Sequence, residues 1–384
     1  MLTGIVLFVF GSGPIQGFAT TLIIGIITSI LTSIFITRLV FEGRIARGKN
    51  ITFENNLTKN FLKNTKVNFI DKRKISYTVS GILIVISLVS IFTKGFTYGV
   101  DFTGGRTYVV RFDQPVTAET VREAALDAFE GSVEVKQFGG ESQMKITTSY
   151  KYENESTEVD AEIEGMLYDA LKGFFKEDLT LSDFISTLDN PNGIISSDKV
   201  GATIANDIKR SAVISVILAL LVIFGYIALR FNGWTWGLGG VVSLAHTTII
   251  VIGFFSLFTG ILPFNLDVDQ TFIAAILTII GYAINDNVVI FDRIRENLKL
   301  HPSSDFQETV NTSLNATLTR TVNTSVSTLL PMLAIAIWGG ESIRGLSVAL
   351  IIGIIFGTYA SIMIGTPIMF DATRRAAKKK SLKK

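Results

Sequence analysis

Seven stretches of this chain are too long and too apolar to be the interior of a water-soluble domain. A membrane-spanning helix needs about 20 mainly apolar residues. Phe18–Thr37, Ser76–Thr93, Ser211–Leu229, Gly237–Thr259, Gln270–Phe291, Thr321–Gly340 and Gly345–Phe370 all qualify. Hydrocarbon offers no partner to backbone N–H and C=O groups, so each block is expected as a helix. Met1–Phe10 is only half a span and no basic residue precedes it, so a cleaved leader is a poor reading. It reads as the tail of a helix whose beginning is missing. Composition agrees: 18% of the 384 residues are charged, against about 25% in soluble domains. The absence of cysteine excludes a disulfide-stapled scaffold. The expected fold class is a polytopic α-helical membrane protein.

Loop charge sets the direction. Phe41–Ile75 holds nine Lys/Arg and the tail from Arg374 to Lys384 holds seven, so both are expected in the cytoplasm. Such basic flanks read as topology and anionic-lipid contact rather than nucleic-acid binding. Counting crossings puts Gly95–Asp207 outside. That segment carries 21 Asp/Glu against 9 Lys/Arg, a net of −12 inside a chain of nominal +2.

The outer segment reads as a folded domain. Thr107–Asp113 alternates as a strand, and Thr117–Phe129 has helical periodicity with Thr117 as N-cap. Val133–Phe138 and Gln143–Thr148 are strands joined at Gly139-Gly140, Asp160–Phe175 is a second amphipathic helix, and Ile194–Val200 a last strand. The order predicts an extracytoplasmic α+β ferredoxin-like domain.

The chain also repeats itself. Gly17–Ile27 aligns with Gly345–Ile355 at an offset of 328, identical at seven of eleven positions, and the match resumes at Ser33/Ser361, Ile34/Ile362 and Ile36/Ile364. Both copies run in the same direction, as in parallel-repeat transporters. The expected division is therefore 1–42 as the end of one half, 43–75 as a basic linker, and 76–94 as the first span of a second half. Residues 95–207 form the outer domain, 208–370 five further spans, and 371–384 a basic tail.

Ionisable groups at bilayer depth cost a few kcal/mol at least, so they need a reason. Asp286 is the single charge between Gln270 and Phe291, about 24 Å along the helix from Gln270. Asp292, Arg293, Arg295 and Glu296 read as its solvated cytoplasmic extension. In the next span Thr317, Arg320, Thr321, Thr324, Ser325 and Thr328 recur at three- and four-residue spacing, giving one polar face. The short loop between the spans predicts antiparallel neighbours, so Arg320 could pair with Asp286. A proton relay and a static buried ion pair both fit, since burial raises a carboxyl's pKa and a guanidinium lowers it. His246 is the one histidine within a span; it either shares the relay or sits neutral and hydrogen-bonded between helices. No metal site is expected, with no cysteine and no second histidine within helical reach. Asp101-Phe102-Thr103-Gly104-Gly105 reads as a glycine-relaxed turn with Asp101 or Thr103 capping, and not as a phosphate loop.

These residues resemble a known family. Val100–Gly105 resembles the "DFTGG" motif of the SecF family, accessory subunits of the bacterial Sec translocase. Gly281–Asn297 is similar to its "GYSINDTVVVFDRIREN" helix, and Thr317–Thr321 with Thr324, Ser325 and Thr328 to its "TLxRTxxTSxTTL" helix. Lys199-Val200-Gly201 resembles its "VG" motif before the third span. Gly11–Glu42 looks like the last helix of SecD, so the whole resembles the C-terminal part of a SecDF fusion of the resistance-nodulation-division superfamily.

The resemblance implies a subunit, not an enzyme, in the inner membrane that uses the proton motive force to promote preprotein translocation. It implies protons as coupling ion with no cofactor. The implied partners are the SecYEG channel, the SecA motor, YidC/YajC-type subunits, a SecD half, unfolded preprotein and membrane lipids. Carried over, Asp286 matches the proton-pathway aspartate and Arg320 its partner, with Asn285, Thr324, Thr328 and His246 around them. Asp101, Phe102, Thr103, Gly104, Gly105 and Gly201 mark the junction with the outer domain. Two positions depart: Thr247 stands where many members have aspartate, and Asn287 where Thr is usual. An exporter of small molecules or lipids is the alternative, disfavoured by the single small outer domain.

Overall fold

The computed structural model describes residues 4–5, 8–9, 14–49, 51, 62, 65–129, 133–138, 140–154, 156–176, 179–186, 191–262, 264, 266–339 and 341–381. Most of Met1–Phe10, and Gly139 of the expected hairpin turn, lie outside the described residues. Helix α1 (Pro14–Leu31) passes through a π-helical turn, Thr32–Ile36, into α2 (Thr37–Ala46). Then come α3 (Arg73–Thr93) and a single turn, α4 (Val100–Thr103). The sheet domain follows as β1 (Gly105–Arg111), α5 (Ala118–Leu126), β2 (Val133–Gln137), β3 (Gln143–Thr148), α6 (Thr157–Leu171), α7 (Leu181–Ile185) and β4 (Gly193–Val200). The bundle is completed by α8 (Ala202–Arg230), α9 (Trp234–Phe258), α10 (Gln270–Leu300) and α11 (Phe306–Trp338). Last are α12 (Glu341–Ala360), a second π-helical turn, Ser361–Gly365, and α13 (Thr366–Ser381). Among the described residues, seven helices are long and apolar enough to cross a membrane.

The sheet domain follows the expected order. All neighbouring strands are antiparallel in the order β2-β3-β1-β4. Strands β1 and β2 are thus joined through α5 with β3 inserted between them, a split βαβ unit. The Thr117 hydroxyl accepts from Thr120 N at 3.3 Å and caps α5. One face of the sheet closes on α5 and α6 through Val110, Phe112, Val121, Phe129, Ile146, Ile163 and Leu167, all buried.

The bundle is built the other way round. On α3 the buried residues are Ser76, Ser80, Ser87 and Ser90, while Ile75, Val79, Ile82, Val85, Ile86, Val89 and Phe92 face outward. Lipid is as apolar as leucine, so small residues that let backbones approach decide the contact. A Cβ on Gly253 of α9 would fall 2.2 Å from Ser87 Cβ. Nearby, Ser90 and Ser256 share a hydroxyl hydrogen bond at 2.9 Å.

The internal repeat is real in the backbone. Its two copies each widen into a five-residue π turn, at Thr32–Ile36 and Ser361–Gly365. With the offset of 328 these coincide to within one residue, and such turns mark places where a helix departs from regular bonding.

At the opposite end of the bundle from the sheet domain, residues 65–71 lie as a strap against α11. Asn315 accepts from Val67 N at 2.9 Å and donates to Val67 O at 2.8 Å, imitating a strand partner. Asn311 accepts from Ile70 N at 3.0 Å, and Phe69 and Ile70 are buried below.

Candidate functional site

Helices α10 and α11 are antiparallel neighbours, tied by Asn297 Nδ2 donating to Ser313 Oγ at 2.8 Å. Helix α12 packs against both. Its contact with α10 is made by glycines: a Cβ on Gly353 would fall 2.3 Å from Ile279 Cδ1, and one on Gly357 would meet Ala283 Cβ at 3.1 Å. This close approach brings Thr358 beside the buried carboxylate of Asp286, which is 3% exposed. Thr358 Oγ1 donates to Asp286 Oδ2 at 3.4 Å, and Ser325 of α11 meets Thr358 at 2.6 Å. A hydroxyl has one proton and two lone pairs. Thr358 can spend its proton on Asp286 while accepting from Ser325, so a hydroxyl chain runs from α11 through α12 to the carboxylate.

Arg320 does not close on Asp286. Its side chain is exposed on α11 and makes no ion pair or hydrogen bond among the described residues. The expected direct pair is therefore absent, because α12 rather than α11 supplies the group against the carboxylate. Thr324 donates to Arg320 O at 2.8 Å. Thr328 donates to Thr324 O at 2.9 Å, and its hydroxyl lies 3.3 Å from Tyr282 Oη, which reaches it from α10 one turn above Asp286. Asn285 points away, exposed where its neighbour is buried.

His246 is buried, with its ring 6.0 Å from that of Tyr359. Neither ring nitrogen has a hydrogen-bond partner among the described residues, so it does not bridge helices by the expected bond. Beyond Asp286 on α10, Asp292 pairs with Arg295 at 2.5 Å and stays part-exposed.

The second group of residues lies where the bundle meets the sheet domain. Gly104 and Gly105 take φ of +77° and +142°, which lets the chain turn from α4 straight into β1. Asp101 does not cap its own turn. Its Oδ2 accepts from Gln270 N at 3.2 Å, so it caps the first turn of α10, the helix that carries Asp286. Thr103 donates to Gly99 O at 3.3 Å, Phe102 is buried, and Gly201 precedes the first turn of α8.

Residues 181–375 match the family model "Protein export membrane protein SecD/SecF, C-terminal", and residues 89–116 match "SecD/SecF GG Motif". The protein translocase subunit SecF of Rhodothermus marinus is 41% identical over 320 residues, covering 83% of this chain and 97% of that one. The chain belongs to the SecD/SecF family. The SecDF subunit of Thermus thermophilus is 33% identical over 376 residues, covering 95% of this chain and 45% of its own length. The crystal structure of that organism's SecDF, described as a translocon-associated membrane protein, superposes with a TM-score of 0.76 at 31% identity. It covers 97% of this chain and 47% of its own. The chain thus spans about half the length of the SecDF relatives it matches. With these matches, the seven spans are those of a multi-pass membrane protein.

Within this SecD/SecF chain, the two departures from the motif are both spent on packing. Asn287 donates to Ser243 Oγ at 2.9 Å and to Ala283 O at 3.2 Å, knitting α10 to α9. Thr247 donates to Ser243 O at 3.0 Å. Sequence reasoning missed Thr358, and the repeat held the signal: the first copy has Ile30 at the matching position, so Thr358 is a polar residue placed in one copy alone.

Proposed function

We propose that this chain is the proton-coupled part of an accessory subunit of the Sec translocase, which draws preprotein across the inner membrane. The observation that carries it is Asp286: a carboxylate buried in a spanning helix, touched by the short hydroxyl chain from Ser325 and Thr358. A static ion pair would close a cation onto that carboxylate; here Arg320, whose charge acts on Asp286, is exposed on α11 and makes no salt bridge with it. Loading or unloading one proton changes the local charge by a full unit, and α10, α11 and α12 meet at that point. The proton is the coupling ion, and no cofactor takes part. Arg320 approaches Asp286 in one state of the cycle and leaves it in the other.

In this reading the sheet domain stands outside the membrane, the strap and tail in the cytoplasm, and the subunit works beside the SecYEG channel, SecA and YidC/YajC-type proteins. A SecD half completes the transmembrane path. The chain does no covalent chemistry. Asp286→Asn keeps the shape and hydrogen-bonding capacity but cannot ionise. In the complete translocase it is expected to abolish the part of export that depends on the proton gradient while membrane insertion persists. Wild-type gradient stimulation in that variant would defeat the reading.

A further inference from the structure

The loop entering α10 reaches two separated parts of the sheet-domain region through the adjacent residues Asp267 and Val268. The first is next to the covalent link. Val268 N donates to Thr97 O at 2.8 Å and Gly99 N to Val268 O at 3.1 Å, while Asp101 accepts from Gln270 N. Gly99 fits here because a Cβ would press against Asp269 Cβ at 3.0 Å. This tie is made by the chain just before β1, Thr97 to Asp101. The second tie is on β2, where Lys136 pairs with Asp267 in the loop entering α10. Asp267 keeps only 9% of its side chain exposed and Lys136 22%. The sheet order places β2 two strands from β1, about 10 Å away.

One tie is a hinge; two ties at a distance make a lever. The covalent links enter at β1 and leave from β4 through Gly201 into α8, on neighbouring strands, so without the β2 tie the far β2 edge could rotate about them. Adding the β2 tie removes that rotation, so a tilt or shift of α10 is carried into the domain as a rigid movement. Helix α10 is continuous from Gln270 to Leu300 and holds Asp286. We infer that Lys136 and Asp267 are a positioning pair that transmits movement of α10 to the sheet domain during proton-driven export. The inference rests on the proton-coupled reading above. Glu134 shares Lys136 at 2.9 Å from the same face of β2, and Lys145 and Asp269 line the adjoining cleft, so the pair works within a mixed-charge patch.

The test uses Lys136→Asp, Asp267→Lys and the double swap, each in the complete translocase in native membranes. Export is measured with and without a proton gradient, and amide hydrogen exchange over β2 is followed in the same membranes. Each single variant is expected to lower gradient-stimulated export at least threefold, leave the gradient-independent rate unchanged, and raise β2 exchange. The double swap is expected to restore at least half of both. Full stimulation in the single variants, or a double swap no better than the worse single, would overturn the inference. Asp286→Asn run alongside separates the two claims. If it alone keeps full stimulation, the proton reading has failed, and the tie is judged on β2 exchange: a rise in the singles and recovery in the double uphold the joint, and unchanged exchange removes it.

Discussion

Thr358 Oγ1 lies 3.4 Å from Asp286 Oδ2, and the residue before it, Gly357, is what allows the approach. A side chain at 357 would meet Ala283 one turn from the aspartate and push α12 away. The hydrogen bond and the glycine are one device. Its consequence is that the group touching the carboxylate comes from α12, while the cationic candidate waits on α11.

Thr358→Val keeps the volume and removes the donor. A hydrogen bond to a charged partner contributes about 1.5–3 kcal/mol, so gradient-driven export is expected to fall by about tenfold or more, with a modest drop in the thermal midpoint in detergent. Thr358→Ser, which keeps the hydroxyl, is expected to retain most activity. Equal losses in both variants would mean that the methyl group, not the hydroxyl, matters.

Gly239 of α9 faces the π turn so closely that a Cβ would lie 2.5 Å from Gly365 O and 2.7 Å from Met369 Cβ. Because a backbone atom is hit, the helices themselves must part. Gly239→Ala is expected to destabilise the bundle by about 1–3 kcal/mol, as overpacking does. Gly225→Ala on α8 meets nothing within 4 Å and is expected to be neutral or stabilising by up to about 1 kcal/mol. Thermal midpoints of the purified protein compare the two.

In the sheet domain Arg106 is 2% exposed and pairs with Asp160, which also accepts from Lys199 Nζ at 3.1 Å. Burial by itself would raise the Asp160 carboxyl, but the hydrogen bonds and charges of Arg106 and Lys199 outweigh it and hold the group below its ordinary value. A depressed carboxyl stabilises the fold above its unfolded value of about 3.9 and loses that contribution as pH falls through the lower folded value. Asp160→Asn is expected to cost about 2–3 kcal/mol at pH 7, leaving Arg106 buried without its counter-ion. The cost shrinks as pH drops below about 3.9. Hydrogen exchange over β1 and α6 at several pH values reads this.

The strap is held by two amides. Asn315→Ala removes both bonds to Val67, and Asn311→Ala removes the bond to Ile70. Each is expected to loosen the strap by about 1–2 kcal/mol and to quicken tryptic cleavage after Lys66 several-fold, with the double variant faster still. Cleavage at the wild-type rate in both would show that Phe69 and Ile70 anchor the strap unaided.

Much of this architecture was legible in residue order. Span lengths, the β-α-β-β-α-β alternation with Thr117 as cap, the repeat and the isolated Asp286 each depend on neighbours within a few turns. The packing faces did not follow the same logic. A soluble helix buries its leucines and isoleucines, but α3 turns them to the lipid and buries four serines, so its polar stripe is its contact surface. Arg320 is a similar case. Its spacing on α11 put it on a polar face correctly, yet Ser325 rather than Arg320 is the member of that face that connects, through Thr358, to Asp286. Asp101 was read as a local cap, and it caps a helix that begins 169 residues later.

By itself the sequence determined which segments span, how the sheet domain alternates, and which carboxylate lies within an apolar span. Those outcomes follow from hydropathy and from the backbone's need to satisfy its own hydrogen bonds wherever water is absent. The tertiary structure alone decided who touches that carboxylate, which end of α10 Asp101 caps, and that Lys136 reaches Asp267. These contacts depend on how closely helices and strands distant in sequence approach. That distance is set by small residues such as Gly353, Gly357 and Ser87, whose effect appears only once a second backbone lies against them.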